Sequence, residues 1–233
     1  MAMLSPEELL KRLRKALELR EDDFIALKAY RETRDPFKVL VATVLSQNTT
    51  EANAFAALRS LKRSVGLDPE SIHRASLAEI ERAIRPAGLW RQKARAIKRV
   101  AEMVVGGLDL ARLLDLGPDE VHRTLGAVPG IGKKTVDVLL ALFRGGVIPV
   151  DTHVKRVARR LGLTSSSSYE GVKSDLESFF PSSMRLEAHF YLITLGRTIC
   201  KARKPLCDEC PIQDVCLSKT PLSSKSTMGK KTE

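Results

Sequence analysis

All four cysteines of this 233-residue chain lie in one short segment close to its C-terminus. They are Cys200, Cys207, Cys210 and Cys216, with six, two and five residues between them. The N-terminus, MAMLSPEELLKRLRKAL, is charged every few residues, so we expect neither a signal peptide nor a membrane span, and we expect the cysteines to stay reduced. Reduced thiols this close together indicate a metal centre, around which the segment must wrap.

Zinc and an iron–sulfur cluster both accept four cysteine ligands, and the spacing of the cysteines helps to distinguish the two kinds of site. Zinc ribbons usually pair two Cys-x2-Cys knuckles at a distance. This chain has a single such pair, Cys207 and Cys210, flanked by longer arms. A continuous wrap of this kind favours a [4Fe-4S] cluster, with a structural zinc site as the alternative.

The loop between the first two cysteines is basic and carries Lys201, Arg203 and Lys204. Its charges could neutralise phosphates. Alternatively, a solvated basic loop would offset the negative charge of a thiolate-bound cluster. The chain as a whole has 39 Lys and Arg against 28 Asp and Glu, a formal net charge of +11, which is typical of proteins that meet a polyanion.

Most of the remaining sequence has the apolar period of helices, and no segment has a convincing strand period. Start signals precede several of the helices, among them Ser76 with Glu79, and Asp35 before Pro36. The β-branched run at residues 146–150 is short and bounded by glycine and proline, so we expect an inter-helix loop there. We predict an all-α protein of about ten helices with short connections.

Two glycines one residue apart separate two apolar helical segments within residues 125–136. Glycine permits the positive φ angles and close backbone approach of a tight turn, and the second helix presents its amide end there. An αα-corner would show a similar Gly-x-Gly, but the basic pair and threonine that follow favour a phosphate-binding helix-hairpin-helix motif. The residues expected to contact nucleic acid are Pro129, Gly130, Ile131, Gly132 and Lys133.

Two kinds of side chain near the hairpin are candidates for chemistry. Successive helical residues lie about 100° apart, so Lys133 and Lys134 cannot both face one pocket. One is a candidate for chemistry and the other for a phosphate contact. Asp151 opens a later helix and by itself is more often an N-cap than a catalyst. The two roles can coexist, because a capping carboxylate at the edge of a pocket is fixed in place and charged.

The hairpin with Lys134, the sequence Val-Asp-Thr-His around Asp151 and the cysteine ladder occur in this order, and together they resemble the endonuclease III family. Residues 45–50 are similar to the family's early glutamine-containing turn. Residues 87–90, followed by Lys93, are similar to its second DNA-probing loop. The resemblance covers about residues 30 to 217.

The resemblance implies two helical domains with DNA bound across the cleft between them. One is a six-helix barrel at residues 30–144 that carries the hairpin. The other is the cluster domain at residues 145–217, with an N-terminal helix in residues 1–29 packed against it. Residues 218–233 are rich in Ser, Lys and Thr, a composition unable to bury a core, so we expect a disordered tail. Nothing in the sequence indicates an oligomer, and we expect a monomer.

The resemblance also implies a bifunctional DNA glycosylase and abasic-site lyase of base excision repair, which acts on oxidised or saturated pyrimidines in duplex DNA. Lys134 matches the family's Schiff-base lysine, and Asp151 matches its essential aspartate. Either Gln47 or Asn48, together with Leu89, would fill the gap left by the flipped base. Such an enzyme would act in the cytoplasm, on the DNA of the nucleoid.

Two other functions stay open at this point. A monofunctional mismatch glycosylase would share the hairpin, the aspartate and the cluster, but it would have no need of the amine of Lys134. A non-catalytic DNA-binding module would use the hairpin to grip phosphates and the cluster as a scaffold or redox sensor. Such a module would have no need of Lys134 and Asp151 together.

Overall fold

The computed structural model describes residues 4–219, and over that range it contains helices and loops without any strand. The α-helices are α1 (Pro6–Ala16), α2 (Ile25–Thr33), α3 (Pro36–Ser46), α4 (Glu51–Ser64), α5 (Pro69–Arg74), α6 (Leu77–Ala83), α7 (Trp90–Val105), α8 (Leu110–Asp115), α9 (Pro118–Gly126), α10 (Lys133–Phe143), α11 (Thr152–Leu161), α12 (Tyr169–Phe179) and α13 (Arg185–Thr198). Short 3-10 turns lie at Glu21–Asp23, Arg85–Ala87, Ser182–Met184, Cys207–Glu209 and Gln213–Val215. The predicted all-α class is confirmed. The described residues hold more helices than expected, and among them α5 and α8, with six residues each, are too short to show a clear period.

The helix starts follow the local signals of the sequence. Ser76 and Glu79 form a capping box at α6, in which the Glu79 carboxylate accepts a hydrogen bond from the Ser76 amide at 2.8 Å. Asp35 caps α3, with Pro36 as its first residue. Residues 146–150 form a loop between α10 and α11, as predicted.

The larger of two compact units comprises residues 19–149. Two helices in it are buried over most of their length and pack against each other: residues 39–45 of α3 and residues 135–142 of α10. Helix α2 packs on α3, and α7 packs on α5 and α6. Helix α10 is therefore fixed in the core of this unit, and its first turn, where the hairpin ends, is fixed with it.

The smaller unit joins segments from near both ends of the chain and comprises, among the described residues, 4–18 and 150–219. Helices α1 and α11 both pack on α13. Ion pairs add to this packing: Arg14 contacts Glu187 at 2.5 Å, and Arg12 contacts Asp214 at 2.8 Å. Both pairs are partly exposed, so we expect each to contribute less than the buried apolar faces do.

The observed boundaries differ from those proposed from the sequence. The structure divides the chain after residue 18 and after residue 149, whereas the sequence placed the divisions after residues 29 and 144. The physical reason at the first boundary is α2, whose buried Ile25 and Leu27 belong to the larger unit through packing on α3.

The expected tail begins with two residues that the structure describes. The Ser218 amide donates a hydrogen bond to the Arg160 carbonyl at 3.1 Å, and the Lys219 amide donates to the Cys216 carbonyl at 3.1 Å. The rest of that expectation, on residues 220–233, lies outside the described residues. Between residues 4 and 219, no helix is both long and apolar enough to cross a membrane.

Candidate active site and cluster site

The hairpin between α9 and α10 is a tight turn that packs on α7. Gly130 has a φ of 97°, and a Cβ placed on it would lie 3.2 Å from the Cβ of Ala96. Val128 and Ile131 are buried and anchor the turn, while Gly132 is exposed. The first amides of a helix have no intrahelical partner, so this end of α10 can bind an anion.

Lys133 and Lys134 occupy different environments in the first turn of α10. Lys133 is exposed, whereas Lys134 is half-buried. The next residue, Thr135, is buried and belongs to the core of the larger unit. The two amines therefore point in different directions, as their helical spacing requires.

A buried carboxylate one turn beyond Lys134 was not identified from the sequence. Asp137 is fully buried, and its Oδ1 lies 2.9 Å from Nε2 of His122 on α9. This contact ties together the two helices of the hairpin motif. The available signal was an acidic residue inside an otherwise apolar run of α10.

The two wedge candidates in the turn after α3, Gln47 and Asn48, have different surroundings. Gln47 is half-buried, and its Nε2 donates hydrogen bonds to the Gly130 carbonyl at 3.0 Å and to Thr135 Oγ1 at 2.9 Å. Asn48 is exposed, and its φ of 48° lies in the left-handed region. Gln47 thus contacts the hairpin, whereas Asn48 lies at the bend of the turn itself.

The loop before α7 presents Leu89. This residue is the N-cap of α7, has a φ of 46°, and is 53% exposed. One turn later, Lys93 is only 2% exposed, and its Nζ donates to the Leu45 carbonyl at 2.9 Å and the Ala87 carbonyl at 2.8 Å. Burial lowers the pKa of Lys93 to about 8. Lys93 had no role of its own among the sequence-based expectations.

In the smaller unit, Asp151 is the N-cap of α11. Its Oδ1 accepts a hydrogen bond from the Val154 amide at 2.7 Å, which confirms the capping role expected from the sequence. The neighbouring His153 packs against Gly196 and contacts Arg156 at 3.1 Å. Burial lowers the pKa of His153, so its ring is neutral near pH 7.

The four cysteines line one cavity of about 230 Å³ in the smaller unit. All four residues are half-buried. Burial, together with the neighbouring thiols, raises the pKa of the Cys210 thiol. Within residues 4–219, no three His, Cys, Asp or Glu side chains close on the position of a single ion. The four thiols line the wall of this cavity, an arrangement that suits a cluster with several iron atoms that stabilise the thiolates.

Helix α11 reaches the cysteine loop through two arginines. Arg160 Nη1 lies 3.3 Å from Cys200 Sγ and donates to the Lys201 carbonyl at 2.8 Å. Arg156 Nε donates to the Cys200 carbonyl at 3.0 Å. These guanidinium groups place positive charge beside the ligand loop, which fits an anionic thiolate cluster. Lys201, Arg203 and Lys204 of the same loop are all exposed.

Two family models match the chain. The HhH-GPD superfamily of base excision DNA repair proteins matches residues 41–182, which include the hairpin and Asp151. The iron–sulfur binding domain of endonuclease III matches residues 200–216, which contain all four cysteines.

Curated relatives and solved structures agree with these matches. Endonuclease III of Sulfolobus acidocaldarius is 41% identical over 90% of this chain and 94% of its own length. Endonuclease III of Thermotoga maritima is 33% identical over 80% of this chain and 84% of its own length. A non-covalent endonuclease III–DNA complex superposes with a TM-score of 0.72 at 29% identity, covering 93% of this chain and 97% of that chain. A trapped covalent endonuclease III–DNA intermediate has the same TM-score and identity, with 93% and 98% covered.

The fold and these motifs define a helix-hairpin-helix protein of base excision DNA repair. Within that superfamily, the chain belongs to the endonuclease III family. It is therefore a DNA glycosylase and abasic-site lyase with a [4Fe-4S] cluster as its cofactor, and its partner is damaged duplex DNA. The expected cofactor is confirmed, and the zinc and binding-module alternatives are set aside.

Proposed function

We propose that the amine of Lys134 is the nucleophile of this enzyme and that its substrates are oxidised pyrimidines in duplex DNA. The observation that carries this role is the position of Lys134, half-buried in the first turn of α10 directly after the hairpin. A hairpin that grips the DNA backbone would bring the sugar of a flipped nucleotide to this amine.

The reaction then follows from the chemistry of a primary amine. The unprotonated amine attacks C1′, and the bond from C1′ to the base breaks, with the electron pair leaving on the base. Loss of the amine proton and opening of the sugar give a Schiff base, which acidifies the hydrogen on C2′. Removal of that proton expels the 3′ phosphate by β-elimination and cuts the strand.

Asp151 is proposed to act on the charge that develops in this reaction. Its carboxylate is held at the start of α11 by the hydrogen bond from the Val154 amide. A carboxylate fixed in this way can stabilise a cationic sugar as the base departs without having to reorganise. It could also take the proton from the amine.

The DNA contacts are proposed for three segments of the larger unit. The hairpin residues Pro129 to Lys133 bind a phosphate. Asn48 and Leu89 are the wedge residues that fill the gap left by the flipped base, because both lie at the bends of their loops with left-handed φ angles. Gln47 is the less suitable wedge, since its amide is already bonded to the hairpin.

The cluster is proposed to be held by Cys200, Cys207, Cys210 and Cys216. When bound, it cross-links four points of one loop and fixes the backbone of that loop. The exposed Lys201, Arg203 and Lys204 would then contact DNA phosphates from a rigid support. Such an enzyme would act on the DNA of the nucleoid in the cytoplasm.

Borohydride trapping on duplex DNA with an abasic site tests the role of Lys134. Wild type should form a covalent species, and Lys134→Gln should form none. Lys133→Gln should still be trapped when the protein saturates the DNA, although it binds more weakly. If Lys134→Gln is still trapped, another amine is the nucleophile. If wild type releases damaged bases but is not trapped, the Schiff-base role proposed for Lys134 is wrong.

A further inference from the structure

Lys93 is a buried lysine whose ammonium is bonded to two backbone carbonyls. It is 2% exposed, and its Nζ donates to the carbonyls of Leu45 and Ala87. The two hydrogen bonds only partly offset the cost of burying an ammonium, and the remaining cost appears as the lowering of its pKa to about 8. The structural role of this costly buried group lies in the segments that its hydrogen bonds connect.

The two carbonyls lie at the bases of the two loops that carry the proposed wedge residues. Leu45 is in the last turn of α3, three residues before Asn48. Ala87 is the last residue of a 3-10 turn, two residues before Leu89. The last carbonyls of a helix have no intrahelical partner and form the negative end of its dipole. One ammonium therefore caps α3 and bonds the loop before α7 at the same time.

Both wedge loops have backbone conformations that need external support. Asn48 and Leu89 have φ angles of 48° and 46°. Residues other than glycine are uncommon in this region, and they persist where the surrounding structure fixes them. Lys93 provides a fixed point close along the chain to each, at Leu45 and at Ala87.

We infer that Lys93 is a positioning residue that sets the spacing between the Asn48 turn and the Leu89 loop. With this spacing fixed, both wedge residues enter the duplex together when the damaged base is extruded. The inference rests on the proposed wedge roles of Asn48 and Leu89. It predicts that loss of Lys93 harms base extrusion more than it harms the chemistry on a base that is already poorly paired.

Lys98 offers a matched control on the same helix. Its Nζ donates to the carbonyls of Ile72, His73 and Ala75 at the end of α5. It thus caps a helix C-terminus from α7, as Lys93 does, but α5 carries none of the proposed DNA contacts. A purely structural loss should affect Lys93→Met and Lys98→Met in the same way.

The experiment measures single-turnover excision of 5-hydroxyuracil in two duplexes, one with the lesion paired with guanine and one with the lesion in a pyrimidine mispair. Lys93→Met should slow excision about tenfold from the paired duplex and about twofold or less from the mispair. Lys98→Met should leave the ratio of the two rates at its wild-type value. Lys93→Arg keeps the charge and the donors, so its ratio of the two rates should lie between those of wild type and Lys93→Met. It replaces Lys93→Met in the comparison if that variant folds poorly. An unchanged ratio in both Lys93 variants would overturn the inference.

Variants of the wedge residues separate this inference from the one on which it rests. If Asn48→Ala and Leu89→Ala do not slow excision from the paired duplex, the wedge assignment is wrong, and so is the inference about Lys93 that rests on it. If they do slow it, but Lys93→Met leaves the ratio of rates unchanged, only the role of Lys93 fails. In the Asn48→Ala/Leu89→Ala background, Lys93→Met should add less than about twofold, because the residues act as one unit.

Discussion

Gln47 donates its side-chain amide to Thr135 Oγ1 at 2.9 Å. A second hydrogen bond from the same nitrogen reaches the Gly130 carbonyl at 3.0 Å. The turn after α3 is therefore bonded directly to the hairpin, beside the proposed nucleophile Lys134. Together with the contacts of Lys93, this places the three proposed DNA-contacting segments of the larger unit on a common set of hydrogen bonds.

Replacing Gln47 should weaken the hairpin rather than the wedge. Gln47→Ala removes both hydrogen bonds, so we expect a loss of about 1 kcal/mol in the free energy of unfolding and about fivefold weaker binding of abasic DNA. Urea denaturation and fluorescence anisotropy measure the two effects. Asn48→Ala is the comparison, since it leaves the hairpin bonds intact and should lower stability less than Gln47→Ala does. If Gln47→Ala changes only the preference for poorly paired lesions, Gln47 is itself a wedge.

Gly130 should tolerate no side chain. Its φ is 97°, and an added Cβ would lie 3.2 Å from the Cβ of Ala96. Gly130→Ala should therefore lower the free energy of unfolding by about 1–3 kcal/mol, and it should weaken DNA binding because the turn must shift. Gly126 is a matched control at the end of α9, with nothing within 4 Å of an added Cβ. Gly126→Ala should leave stability unchanged or raise it by about 0.5 kcal/mol in thermal denaturation.

Local signals account for the parts of the molecule that the sequence predicted well. The capping box of Ser76 and Glu79, the N-cap at Asp151 and the tight turn at Gly130 each depend on residues within a few positions of one another. The cysteine ladder is local in the same sense, since its four thiols lie within residues 200–216. Spacing alone therefore predicts these features.

Contacts between segments that are distant along the chain account for the features that the sequence did not predict. The different surroundings of Gln47 and Asn48 depend on a hairpin 83 residues away along the chain. The first domain boundary depends on α2 packing on α3, which no local pattern shows. The sequence does indicate the burial of Lys93 in one way, because the residue occupies the same helical face as the buried Ile97 and Val100. A lysine at such a position is a candidate for a buried role.

Two substitutions separate the capping role of Asp151 from the catalytic role proposed for its charge. Asparagine caps helices about as well as aspartate but carries no charge. Asp151→Asn should therefore abolish most base excision while changing the melting temperature little. Asp151→Ala should lose excision and also about 1 kcal/mol of stability, because the Val154 amide loses its partner. Excision that survives in Asp151→Asn at the wild-type rate would leave Asp151 as a helix cap only.

The buried ammonium of Lys93 should make stability rise with pH in a defined range. Its pKa is about 8 in the folded protein, below the ordinary value of 10.5 that it has in the unfolded chain. Between these values the unfolded chain binds more protons, so the free energy of unfolding increases with pH. We expect wild type to gain about 1–3 kcal/mol relative to Lys93→Met between about pH 7.5 and about pH 10, measured by urea denaturation. Other groups titrate equally in both proteins and cancel in the comparison. A constant difference across this range would mean that the ammonium is solvated in the folded state, and it would contradict the burial of Lys93.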